Sequence, residues 1–81
     1  MTDTATAITR TVDARGSFCP GPLMELIRAI RESQVGDVIA VYSSDKGSKL
    51  DIPKWIEKAG HRLVSLESRG DYDEIVVEKR R

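Results

Sequence analysis

The sequence predicts an α/β protein, a two-layer sandwich in the order β-α-β-α-β-β, with two helices on one face of a four-stranded sheet. Three observations carry this. Apolar residues recur at helical spacing in two stretches, and a proline stands at the start of each. The continuous apolar run Val38-Ile39-Ala40-Val41-Tyr42 has the character of a central strand covered on both faces. Two strand-like segments close the chain around the turn Ser68-Arg69-Gly70-Asp71, as in an antiparallel hairpin.

Taken in order, residues 1–7 are small and polar and read as a flexible tail, with 8–81 as one domain. Ile8-Thr9-Arg10-Thr11-Val12 alternates and is rich in β-branched residues, which predicts the first strand. Asp13 to Phe18 is a loop in which Gly16 supplies a backbone angle that other residues resist. From Pro20, Leu23, Leu26, Ile27 and Ile30 share one helical face, while Glu25, Arg28, Arg31 and Glu32 lie mostly on the other. Met24 is expected in core or flank packing, with a place beside the thiol as the alternative. The helix should stop near Ser33-Gln34, ahead of a turn at Val35-Gly36-Asp37.

Ser43 to Ser48 reads as a polar loop. Asp51 is placed to cap the second helix and Pro53 to sit in its first turn. Ile52, Trp55, Ile56 and Ala59 form its buried stripe, and Gly60 ends it in a left-handed conformation. His61 to Glu67 and Tyr72 to Lys79 are the last two strands, and Lys79-Arg80-Arg81 reads as a solvated basic tail. His61 is expected as a surface or edge residue without a special role. Right-handed crossovers put both helices on one face of the sheet. The opposite face is then partly open, with exposed apolar residues available for dimerisation or docking.

The bulk numbers exclude several classes of function. Thirteen basic and thirteen acidic residues among 81 give a net charge of zero, so no long-range field draws the chain to nucleic acid or to an anionic membrane. No apolar run approaches the roughly 18 residues of a membrane span, and no signal peptide is visible, so a cytoplasmic location is expected. One cysteine rules out an intramolecular disulfide and a CxxC redox cycle. One cysteine and one histidine, Cys19 and His61, cannot supply four zinc ligands, so neither a metal nor a cofactor is expected.

The chemistry concentrates in Ser17-Phe18-Cys19-Pro20-Gly21-Pro22. With Pro20 as the first helical residue, Cys19 takes the N-cap and Pro22 the third position. The thiol then lies at the positive end of the helix dipole, near the N–H groups of Gly21 and Leu23, which favours thiolate and lowers its pKa. Cysteine caps poorly beside Ser, Thr, Asp or Asn, so a role other than capping is indicated. Phe18 is either an apolar docking contact beside the thiol or a staple packed under the helix start. Arg15 is either an attraction for the partner or the thiolate, or a solvated loop residue.

Asp13-x-x-Gly16-x-x-Cys19-Pro20-Gly21-Pro22 resembles the CPxP signature of the TusA/SirA (YedF-like) sulfur carriers. The apolar helix that follows, the Gly36-Asp37 turn and Asp51-Ile52-Pro53 are similar to that family too, over about residues 8 to 79. The resemblance implies a mixed sheet of strand order 1-2-4-3 with the last strand antiparallel. It implies sulfane sulfur carried as a persulfide on Cys19, taken from a cysteine desulfurase or rhodanese and passed to another protein's cysteine. Gly16, Pro20, Gly21 and Pro22 then position the thiol, and Arg15, Phe18 and Met24 are candidate partner contacts. The expected partners are proteins, with the carrier itself a monomer or weak dimer. Gly21 stands where some members have Glu, so the resemblance names no subfamily. Two other classes fit a lone cysteine: a redox sensor cycling through sulfenic acid, and a binding or regulatory module in which Cys19 is structural.

Overall fold

The computed structural model describes residues 8–18 and 20–81, so the predicted tail and Cys19 itself lie outside the described residues. The elements are β1 Arg10–Asp13, α1 Gly21–Arg31, β2 Val38–Ser43, α2 Ser48–Ala59, β3 Arg62–Ser68 and β4 Asp73–Glu78. The sheet order is β1-β2-β4-β3. β1 runs parallel to β2, and β4 runs antiparallel to both β2 and β3. The predicted fold class, strand order and mixed sheet all hold.

The alternation of side chains along the two central strands divides the apolar residues between two faces. Ile39 and Val41 of β2 and Ile75 and Val77 of β4 point toward the helices. There they meet Leu26, Ala29 and Ile30 of α1 and Ile52 and Ile56 of α2. Each such buried valine, leucine or isoleucine contributes about 1.5–3 kcal/mol of transfer free energy. Val38, Ala40 and Val76 point the other way and form a second, smaller cluster with Tyr42 and Val64. This corrects one expectation: the apolar centre of the face opposite the helices is buried, not exposed.

Two helix starts also differ from the predicted ones. α1 begins one residue late, because Pro20 has a non-helical backbone (φ −91°, ψ 15°) and takes the N-cap itself. α2 begins earlier, at Ser48 rather than near Asp51. The N–H groups of Ser48, Lys49 and Leu50 donate to the carbonyls of Asp45, Lys46 and Gly47, a tightened first turn that precedes the proline. Ser48 is wholly buried, its hydroxyl 3.5 Å from Asp45 Oδ2. Pro53 therefore lies inside the helix, where it has no N–H to offer the Lys49 carbonyl.

Candidate functional site

The site is built from the loop that leaves β1, the start of α1 and the end of β2. Ala14 is buried, and its N–H donates to the Tyr42 carbonyl at 2.9 Å, extending the β1–β2 ladder by one residue. The chain then turns through Gly16, whose φ of +89° bears out the expected left-handed angle. The Gly16 N–H donates to Ser44 Oγ at 2.9 Å and the Ser17 N–H to the Ala14 carbonyl at 3.2 Å.

At the helix start, the Gly21 N–H donates to the Phe18 carbonyl at 2.6 Å, so it is not the free donor that the sequence suggested. With Pro20 at the N-cap, Cys19 stands one position before it in the chain, which corrects the assignment of the cap to the cysteine. A Cβ at Gly21 would sit 3.2 Å from Ser17 Cβ, so glycine there lets the loop lie close against the first turn. The two prolines have different surroundings. Pro20 is exposed, whereas Pro22 is fully buried and belongs to the packing beneath the helix start.

Phe18 is 79% exposed and Met24 62% exposed. Neither the staple role for Phe18 nor core packing for Met24 holds, and two large apolar side chains stand in solvent on either side of Cys19 in the chain. Met24 also borders an open trough of about 440 Å³ along α1, lined further by Glu25, Ile27, Arg28 and Arg31.

Arg15 is about half exposed, and its guanidinium is paired within the loop rather than free. Its Nε and Nη2 donate to the two carboxylate oxygens of Asp13 at 2.8 and 2.7 Å. Its guanidinium carbon lies 5.6 Å from the Tyr42 ring centre and 5.0 Å from that of Tyr72. The Arg15 hydrogen bonds, above all, hold the Asp13 carboxyl at a pKa of about 2. Asp13 entered the sequence reading only as a loop and motif residue, and Tyr42, Ser44 and Tyr72 only as members of strands and a loop, not of the site. A charge two residues away in an extended segment is the one local signal for the first; the others come from distant parts of the chain.

His61 lies away from this region. Its Nδ1 accepts the Arg80 backbone N–H at 3.1 Å, and its ring packs 5.6 Å from Trp55. Among the described residues no cluster of three or more His, Cys, Asp or Glu is arranged to hold a metal. Among them, too, no helix is long and apolar enough to cross a membrane.

The family model "Sulfurtransferase TusA" matches residues 10–79, nearly the whole described fold. The chain belongs to the sulfurtransferase TusA family. A protein of Archaeoglobus fulgidus, named among candidate sulfur carriers, is 56% identical over 68 residues, covering 84% of this chain and 93% of its own. The sulfur carrier protein TusA of Pseudomonas entomophila is 40% identical over 63 residues, covering 76% and 79%. The crystal structure of a SirA-like protein from Desulfitobacterium hafniense superposes with a TM-score of 0.78 at 26% identity, covering 90% of this chain and all of that one.

Proposed function

We propose that this TusA-family chain is a sulfur carrier that holds sulfane sulfur as a persulfide on Cys19 and hands it to a cysteine of another protein. The observation that carries the reading is the membership itself: the matched span 10–79 contains a single cysteine, set in Cys19-Pro20-Gly21-Pro22 at the start of α1. The named sulfur carriers among the relatives support it.

The exchange balances without an outside oxidant. The Cys19 thiolate attacks the outer sulfur of a donor Cys–S–SH, the donor's S–S bond breaks, and the donor leaves as a thiolate. Cys19–S–SH remains. An acceptor thiolate then attacks the outer sulfur and Cys19 leaves as the thiolate. With no second cysteine, the chain cannot resolve its persulfide internally as a disulfide. Release therefore depends on a protein partner, and a docking surface takes the place of a substrate pocket. The exposed Phe18 and Met24 suit that surface. The reading is of a cytoplasmic carrier that needs no cofactor, rather than a free-standing metabolic enzyme.

The test is the intact mass after incubation with a cysteine desulfurase and cysteine, and separately with a rhodanese and thiosulfate. One added sulfur atom, removed by reductant and absent in Cys19→Ser, is the expected result. No addition from either donor, with the thiol accessible and the protein folded, would overturn it.

A further inference from the structure

We propose that Arg15 is a positioning residue. Together with Asp13, Tyr42 and Tyr72 it clamps the loop that leads to Cys19, so that the loop meets a sulfur-donor protein in one conformation. What the fixed conformation serves rests on the carrier reading; the clamp itself does not.

The geometry comes from three separate parts of the chain. Asp13 ends β1 and pairs in register with Tyr42 of β2, so both belong to the sheet face opposite the helices. Arg15 folds back onto that face. Its two donors take the two oxygens of one carboxylate, and its own backbone N–H adds a third bond to Asp13 Oδ1 at 3.1 Å. The Tyr42 and Tyr72 rings, 5.1 Å apart and tilted by 51°, both lie within cation–π reach of the guanidinium. Tyr72 belongs to the turn between β3 and β4, so one side chain links the ends of β1 and β2 to the far hairpin. Ala14 and Gly16 are tied to β2 and the residue after it through Tyr42 and Ser44, on either side of Arg15.

Stability accounts for only part of this arrangement. Arg15 and Asp13 are about half exposed, at 48% and 53%, and exposed ion pairs add little to folding free energy. A two-pronged, ring-backed pair instead restricts where the following residues can go. Only a guanidinium supplies two parallel donors to one carboxylate, so lysine is not an equivalent substitute. The restriction matters at Gly16, Ser17 and Phe18, the last residues before Cys19.

Amide hydrogen exchange and sulfur loading, measured on Arg15→Gln and Arg15→Lys, test this. Exchange at Gly16 and Ser17 is expected to speed up about tenfold in Arg15→Gln, with β2 and β4 amides unchanged and Arg15→Lys restoring only part of the protection. If the competent loop conformer becomes the minor one, loading by a cysteine desulfurase supplied with cysteine falls by about fivefold. Alkylation of the thiol by iodoacetamide, which needs no docked pose, should change by less than about twofold on the same reasoning. Tyr72→Leu keeps the Asp13–Arg15 pair and removes one ring; it should give a smaller change of the same sign, and it serves where Arg15→Gln folds poorly. Wild-type exchange at Gly16 and Ser17 in Arg15→Gln would overturn the clamp, whatever the chain carries. Faster exchange with wild-type loading would overturn the positioning role. A wild-type chain that accepts no sulfur, with exchange still sensitive to Arg15, would sink the carrier reading and the purpose assigned here while leaving the clamp in place.

Discussion

Lys79 Nζ lies 2.7 Å from the carbonyl oxygens of both Ile30 and Ser33, tying the residue after β4 to the end of α1. α1 ends without a left-handed residue, since Glu32 at its C-cap has an ordinary right-handed backbone. Its last carbonyls are satisfied by side chains as well as backbone: the Ser33 N–H donates to the Ile30 carbonyl at 3.1 Å, Ser33 Oγ to the Ala29 carbonyl at 2.7 Å, and Lys79 to Ile30 and Ser33. A cation there also meets the negative end of the helix dipole. Lys79→Met keeps the stem and removes the charge and donors. The expected loss is about 1–2 kcal/mol, read as a fall in Tm of about 5–15 °C for a chain of this size. An unchanged melting temperature would show that the lysine adds nothing.

Leu26 and Met24 lie two positions apart on α1 and should respond in opposite ways. Leu26 is wholly buried between the helix and the sheet. Leu26→Ala is expected to cost about 2–5 kcal/mol in denaturant unfolding, through lost transfer free energy and the cavity left behind. Met24, 62% exposed, should tolerate alanine within about 0.5 kcal/mol. If Met24 is a docking contact, Met24→Ala should slow loading from a protein donor without moving the melting curve. A stable Met24→Ala that loads at the wild-type rate would remove Met24 from the docking surface.

Gly60 ends α2 in a Schellman arrangement, with φ +83°, its N–H donating to the Glu57 carbonyl and the His61 N–H to the Ile56 carbonyl. A Cβ there would meet the Arg81 side chain, 2.6 Å from Cδ. That side chain is flexible and can shift, so the cost of Gly60→Ala is mainly the left-handed backbone, about 1–2 kcal/mol. Lys58→Ala, two residues back on the exposed face, is the control and should stay within about 0.5 kcal/mol. Equal melting temperatures for the two variants would mean that the cap relaxes freely.

The parts of the fold written in local periodicity could be read from the sequence. β2 is a run without a polar residue from Val38 to Val41, and it is buried on both faces. The stripe of α1 was visible in Leu26 and Ile30, and that of α2 in Ile52 and Ile56. The first turn of α2 was not, because its one buried side chain is Ser48, which carries no apolar signal, and Pro53 suggested a later start. Lys79 looked like the beginning of a solvated tail because its partners lie 49 and 46 residues away. At the candidate site the motif gave the cysteine, the glycines and the prolines. It did not show that Arg15 faces Asp13 and two tyrosines, since that depends on the β1–β2 register and on where the β3–β4 turn lies.

Two titrating groups give predictions of definite sign. His61 Nδ1 accepts a backbone N–H, which needs that nitrogen unprotonated. Partial burial first, and then the Lys79 and Arg81 charges, push its pKa below the ordinary 6.5. The native state therefore binds this proton less readily than the unfolded chain. The stability linked to neutral His61 is present above pH 6.5 and is lost as pH falls through the lowered native value. Asp13 behaves in the same direction but in a more acidic window: its contribution is present above the ordinary 3.8 and is lost as pH falls toward about 2. Between these two windows the Asp13–Arg15 pair should persist after the His61 contact has gone. Proton-detected titration of the His61 ring and carbon-detected titration of the Asp13 carboxyl follow both groups in one sample. A His61 midpoint above 6.5 would contradict the packing described for it. Arg15→Gln should bring the Asp13 midpoint back toward 3.8, because the Arg15 hydrogen bonds are the largest causes holding it down. An Asp13 midpoint that stays near 2 in that variant would assign the shift to some other group and remove the electrostatic support for the clamp.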